Sequence, residues 1–192
     1  PPTRKVLGDD SAKVQVDGSV APVDQEEEIP VGEEINEETG ELEPTDKPPF
    51  IVPTNGTVTS LFGPRNTGIS GASTNHKGID IAAARGTPVI ASKAGKVTRA
   101  ATGVSGYGTV IYIDHGNGEE TRYAHLSSMS VSRGTNVTQG QVIGQVGSTG
   151  VGSGPHLHFE IRRRSQAINP SYELPSLKSK GSKAISGTQG RK

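Results

Sequence analysis

The sequence predicts a mainly β chain: an antiparallel sheet or sandwich with extended N- and C-terminal tails. Three observations carry this. Short runs rich in Val, Ile and Thr recur after Pro53, Gly-rich or Asn-Gly turns separate them, and no long amphipathic helical period occurs between 51 and 174. In order, the runs cover 57–62, 78–82, 88–91, 95–101, 109–114, 121–125, 141–146 and 156–161, with SKAG, HGNGEE and TQGQ among the intervening turns. Many short strands at regular spacing are the signature of an antiparallel sheet or sandwich.

The tails are read from charge. The 192 residues carry 20 basic and 20 acidic side chains, a formal zero that averages two opposite parts. Residues 1–50 hold 14 acidic and 4 basic residues, a net of −10, which leaves +10 on residues 51–192. The acidic segment, which includes DQEEEIPVGEEINEETGELEPTDKPP, has no sustained period of 2 or 3.6 and too little apolar surface to offset its ordering entropy. It is expected to be a mostly disordered linker or docking arm. Residues 51–174 are expected to form the domain, with 11 basic and 6 acidic residues, and 175–192, with five basic residues and no acidic one, a basic flexible tail.

Composition also excludes chemistry. With no Cys there is no disulfide framework, zinc finger or thiol nucleophile, so any metal site must be built from His, Asp and Glu. No run of about 18 apolar residues is present to span a membrane, and no nucleic-acid partner is expected. Pro1-Pro2-Thr3-Arg4-Lys5 is not followed by an apolar stretch, so a signal peptide is expected to be absent or already removed.

All five His lie between 76 and 158, four of them in NHKGID, YAHL and PHLHFE. In PHLHFE, strand alternation puts His156, His158 and Glu160 on one face and Leu157, Phe159 and Ile161 on the other, toward a core. Two His on one face conflict if both are charged, and a metal that keeps one neutral removes the conflict. In NHKGID, Gly78 and the following Ile-Asp-Ile favour a loop running into a strand, from which His76 and Asp80 can converge on one ion. In RYAHL the same alternation puts Tyr123 with His125 and Ala124 with Leu126, while His115, closing a strand before a Gly-Asn-Gly turn, is read as structural. His76, Asp80 and His158 together would supply two nitrogens and one carboxylate oxygen, the ligand number of a catalytic zinc with a fourth position for water. His125 and His156 are then free for proton transfer and oxyanion stabilisation.

These strings together resemble the lysostaphin-type, peptidoglycan-cleaving zinc metalloendopeptidases. The resemblance runs over about 55–172 and rests on His76-Lys77-Gly78-Ile79-Asp80, His125 in YAHL and His156-Leu157-His158, with LFG and Arg65 upstream and GQVIGQVGSTG before PHLHFE. It implies one zinc ion held by His76, Asp80 and His158, His125 and His156 as catalytic residues, an open zinc groove, and cleavage of peptide bonds in peptidoglycan stems or cross-bridges. Glu160 is assigned to structural hydrogen bonding around the ligands, and 66–75 and 148–154 are expected groove walls. The expected setting is extracellular, cell wall or periplasm, or a phage virion tail in which the acidic segment attaches to a larger assembly. The rival is a non-enzymatic wall-binding or amidase-regulating scaffold with the same fold.

Overall fold

Strand side chains alternate between faces, and in this chain the alternation sorts a continuous apolar layer from a polar one. The computed structural model describes residues 50–64, 75–150 and 154–189, together with the backbone of 33–35 and 42–44. The chain divides into two units, Pro1–Lys47 and Pro48–Lys192. In the first, β1 (Glu33–Ile35) pairs antiparallel with β2 (Leu42–Pro44), placing Ile35 opposite Leu42. Sequence reading expected no ladder in the acidic segment. The pairing is local, and closing a short loop costs little entropy.

The second unit begins with β3 (Gly56–Ser60), the short pair β4 (Gly63–Pro64) and β5 (Asn75–His76), then β6 (Ile79–Ala82) and β7 (Pro88–Ile90). Long strands follow as β8 (Gly95–Val104), β9 (Gly108–Gly116) and β10 (Glu119–Ala124), then the shorter β11 (Leu126–Met129), β12 (Asn136–Val137) and β13 (Val142–Val146). The chain closes with β14 (His156–Arg163), β15 (Gln166–Ile168) and β16 (Lys183–Ala184). Among the described residues, nine strands form one sheet in the order β12-β8-β9-β10-β14-β6-β3-β16, with β15 also on β14; β11-β13-β7 form a second sheet. All pairings are antiparallel. The eight predicted runs all become strands, with ends shifted by a few residues.

Residues of both sheets meet in one core. Val97, Ile111, Ile113, Tyr123, Leu157, Phe159, Ile161, Ile79 and Ile81 come from the large sheet, and Val89, Leu126, Ile143 and Val146 from the small one. Leu157, Phe159 and Ile161 are fully buried, as their alternation predicts, and each contributes about 1.5–3 kcal/mol by leaving water.

Two expected boundaries are corrected. Phe50 belongs to the core at 1% exposure, although the sequence reading assigned it to the acidic segment. Residues 175–189 are a docked strap rather than a flexible tail. Two 3-10 turns, Pro170–Tyr172 and Pro175–Leu177, lead Leu174 and Leu177 into the core. β16 then pairs with β3, Lys183 opposite Thr57 and Ala184 opposite Gly56. Beyond it, the Val52 N–H donates to Thr188 and the Gly187 N–H to Val52. The apolar anchors are too sparse to form a period, and the intervening Lys178, Lys180 and Lys183 are exposed, so composition alone reads as a tail.

Docking of this strap is measurable. Leu177→Ala is expected to lower the unfolding free energy by about 2–4 kcal/mol in urea titrations, the cost of an emptied core position, whereas a free tail would give no change.

Candidate metal centre and paired histidines

The site is built on β14, which runs between β10 on one edge and β6 on the other. His158 stands opposite Asp80 of β6 and Ala124 of β10. His76 reaches the same place from β5, one bend earlier. Gly78 makes that bend possible: a Cβ there would lie 2.2 Å from the Phe159 carbonyl oxygen, so a larger residue would push the His76–Asp80 segment off β14.

Three buried donor atoms converge. His76 Nε2 lies 3.0 Å from Asp80 Oδ1 and 3.0 Å from His158 Nδ1, and His158 Nδ1 lies 2.9 Å from Asp80 Oδ1. These atoms could hold a metal ion. The fit is geometric, since tetrahedral arms of about 2.0–2.1 Å require donors roughly 3.3 Å apart. It is also chemical: two imidazole nitrogens 3.0 Å apart can share at most one proton, and a cation among the three atoms satisfies all of them.

Backbone carbonyls set the tautomers. The His76 Nδ1–H donates to the Leu61 carbonyl at 2.8 Å, leaving Nε2 facing the triangle. The Nδ1–H of His125 donates to the Thr149 carbonyl at 2.5 Å, and that of His156 to the Gly154 carbonyl at 2.7 Å. Both rings thereby keep Nε2 free. They stand side by side, centroids 4.6 Å apart, and His125 is 5.9 Å from His158.

His125 arrives by a route that alternation does not give. Tyr123 lies in the core against Phe159, so it does not share a face with His125 as the sequence reading expected. The strand ends at Ala124, and His125 has a φ of +61°, which turns its ring to the site side. Its own N–H donates to the Tyr107 carbonyl at 2.9 Å. Gly108, at φ +66°, closes the support: a Cβ there would fall 2.4 Å from the Thr149 carbonyl carbon, so the loop bearing Thr149 packs directly on this glycine.

Glu160 is fully buried. It accepts hydrogen bonds from the Tyr107 hydroxyl at 2.6 Å and Arg162 at 2.9 Å, and lies 3.7 Å from His158 Nε2. Its expected supporting place beside the ligand set is where it stands. His115 lies apart from this group, bonded to the Ala94 carbonyl and Thr121. Sequence reading missed Tyr107, and took Thr149 only as part of a groove wall rather than as the carbonyl that holds His125; both act through tertiary contacts and carry no periodic signal. Of the two expected groove walls, 66–74 and 151–153 lie outside the described residues.

Electrostatics follow from burial and neighbours. Burial would raise the Asp80 carboxyl, but hydrogen bonds from His158 and His76 hold it well below the usual range. Burial disfavours charge on His158, yet Asp80 and Glu160 raise it to about 9. Burial also opposes the Glu160 carboxylate, which His158, Tyr107 and Arg162 lower to about 2. Burial, reinforced by the neighbouring His156, lowers His125 to about 4, so it is neutral at pH 7.

A β fold that brings a His-Asp-His group beside two further histidines defines a class of metallopeptidase domain. The sequence pattern of Peptidase family M23 matches residues 74–170, just over half of the chain, and the chain belongs to that family. It is 49% identical over 120 residues to the DD-carboxypeptidase/endopeptidase Mpg of Neisseria meningitidis, covering 62% of this chain and 27% of that protein. It is 40% identical over 123 residues to the murein hydrolase activator NlpD of Escherichia coli, covering 64% and 30%. Among solved structures, the antimicrobial peptidase lysostaphin from Staphylococcus simulans superimposes with a TM-score of 0.61 at 32% identity, covering 74% of this chain and 60% of that one. The chain thus spans less than a third of the length of these two curated relatives.

The pH response of the chelated protein follows from these shifts. Glu160 and His125 have lowered values, so their contributions are present above about 4.5 and 6.5 and are lost as pH falls through about 2 and 4. His158 is raised, so its contribution is present below about 6.5 and is lost as pH rises through about 9. Urea titrations without metal should give maximal stability near pH 6.5, with the alkaline loss absent in His158→Ala.

Proposed function

We propose that this domain is a zinc-dependent endopeptidase that hydrolyses peptide bonds in the stems or cross-bridges of bacterial peptidoglycan, acting in the cell wall or periplasm. One observation carries the reading: the convergence of His76, Asp80 and His158 beside two histidines, His125 and His156, whose Nδ1 atoms are both held by backbone carbonyls. Family membership and the peptidoglycan-related names of Mpg and NlpD support it.

His76, Asp80 and His158 would hold the ion. Zinc bound there supplies Lewis acidity, which lowers the pKa of a bound water and polarises the scissile carbonyl. The chain's own residues handle the protons. His125, kept neutral at pH 7 by burial, takes the proton of the attacking water at Nε2. His156 stands against it and holds the developing oxyanion only in the form that carries a hydrogen on Nε2 as well as Nδ1, and the proton taken up by His125 passes to the leaving amine. The Thr149 carbonyl keeps the His125 Nε2 bare for the proton it accepts, and the Gly154 carbonyl orients the His156 ring.

A second reading is favoured by the likeness to NlpD, named a murein hydrolase activator: a scaffold that stimulates an amidase without cleaving anything itself. Purified protein incubated alone with isolated sacculi separates the two. The endopeptidase reading expects new peptide termini in the released muropeptides by mass spectrometry, loss of activity on chelation and its return with zinc. Intact sacculi with zinc-loaded protein alone, lysed when an amidase is added, would overturn it.

Two further outcomes are expected. His158→Ala loses the bound zinc equivalent, whereas His125→Ala and His156→Ala keep it and lower kcat by about 10²–10⁴-fold. Because His158 must shed its proton to ligate, competition titrations should find apparent zinc affinity rising about tenfold per pH unit between pH 7 and 9.

A further inference from the structure

The site face of the large sheet continues away from the histidines as a row of charged and aromatic side chains. Register places Arg99 of β8 opposite Tyr112 of β9, Tyr112 opposite Arg122 of β10, and Arg122 opposite Glu160 of β14. Glu160 is two residues along β14 from His158, so this row lies next to the row that carries the metal ligands. The Tyr112 ring is flanked by two guanidinium groups, Arg122 at 4.0 Å and Arg99 at 5.4 Å from its centroid.

A β-bulge puts Arg99 there. Val97 opposes Ile113 and Arg99 opposes Tyr112, which leaves Thr98 as the extra residue. Without it Arg99 would oppose Ile111 and point into the core. The bulge therefore exchanges regular pairing for a cation on the site face.

Charges in the row are unevenly matched. Arg122 Nε bonds Glu120 at 2.5 Å, and Arg162 bonds Glu160 at 2.9 Å. Among the described residues Arg99 has no carboxylate partner and is exposed, although a second guanidinium shares its tyrosine. Two like charges held on one ring with one carboxylate between them favour an incoming anion, and a guanidinium fork fits a carboxylate in a bidentate manner.

We propose that Arg99, presented on Tyr112 beside Arg122, is a specificity-determining subsite for a carboxylate of the peptide substrate. The inference rests on the peptidoglycan reading above and names which part of that substrate the chain grips. Three strand spacings and one two-residue step separate Arg99 from His158, about 16 Å, a span covered by roughly five extended residues.

The test is equilibrium binding of two synthetic stem peptides, one with free carboxylates and one with every carboxylate amidated. The zinc-loaded full chain carrying His125→Ala is used, so that turnover is slow on the timescale of the binding measurement. The free acid is expected to bind about tenfold more tightly than the amide. Arg99→Ala should bring that ratio close to one, and Arg99→Lys, which keeps charge without the fork, should give an intermediate ratio. Equal binding of acid and amide, or a ratio unmoved by Arg99→Ala, overturns the proposal. So does an Arg99 dependence confined to a phosphate-rich wall polymer such as purified teichoic acid. Digestion of sacculi by the unsubstituted chain is scored separately. If sacculi stay intact while the Arg99-dependent ratio is found, the endopeptidase reading fails and the carboxylate subsite stands.

Discussion

The structure depends on the register of one strand. β14 pairs with β6 so that His158 opposes Asp80, and with β10 so that Phe159 opposes Tyr123. A slip of one residue would turn Leu157 and Phe159 toward the site and His158 into the core. Burial of Leu157, Phe159 and Ile161 on one face, worth about 1.5–3 kcal/mol each, therefore holds the polar side chains of the other face in place. The site is the obverse of the core.

A second layer of interactions converts placement into chemistry. Three histidines, His76, His125 and His156, have a backbone carbonyl on Nδ1, of Leu61, Thr149 and Gly154, which determines that Nε2 is the nitrogen turned away from the backbone. Main-chain acceptors cannot rotate away, so the tautomers are built into the fold. Tyr107 serves both halves of the centre: its carbonyl holds the His125 backbone and its hydroxyl holds Glu160 beside His158. Gly108, next to it, admits the Thr149 loop at a distance no side chain would allow. This turn accordingly links the candidate metal ligands to the paired histidines.

The polar face beyond the centre is organised as well. Transverse rows of residues from β8, β9, β10 and β14 repeat the logic of the site: neighbours in space are residues far apart in sequence that share a register. The family match spans residues 74–170, the stretch that carries His76, Asp80, His125, His156 and His158. The Arg99–Tyr112–Arg122 row extends this organisation along the same face, with two guanidinium groups against one ring.

The sequence by itself determined the strands, because alternation and turn residues are local properties. It also pointed to the candidate ligands, because His and Asp in H-x-x-x-D and H-x-H strings announce themselves by type and spacing. It placed Leu157, Phe159 and Ile161 correctly, since a strand's two faces follow from its period. It misplaced His125 relative to Tyr123, because a positive φ at one residue breaks the period without a glycine to mark it. It passed over the strap at 175–189, whose few apolar anchors acquire meaning only where Leu174, Leu177 and Ala184 meet the core. Tertiary structure alone decided the tautomers, the reach of Tyr107 and the emergence of Arg99 at a bulge. Each of these is a contact between segments distant in the chain, and a one-dimensional pattern holds no record of which distant carbonyl a ring nitrogen will find.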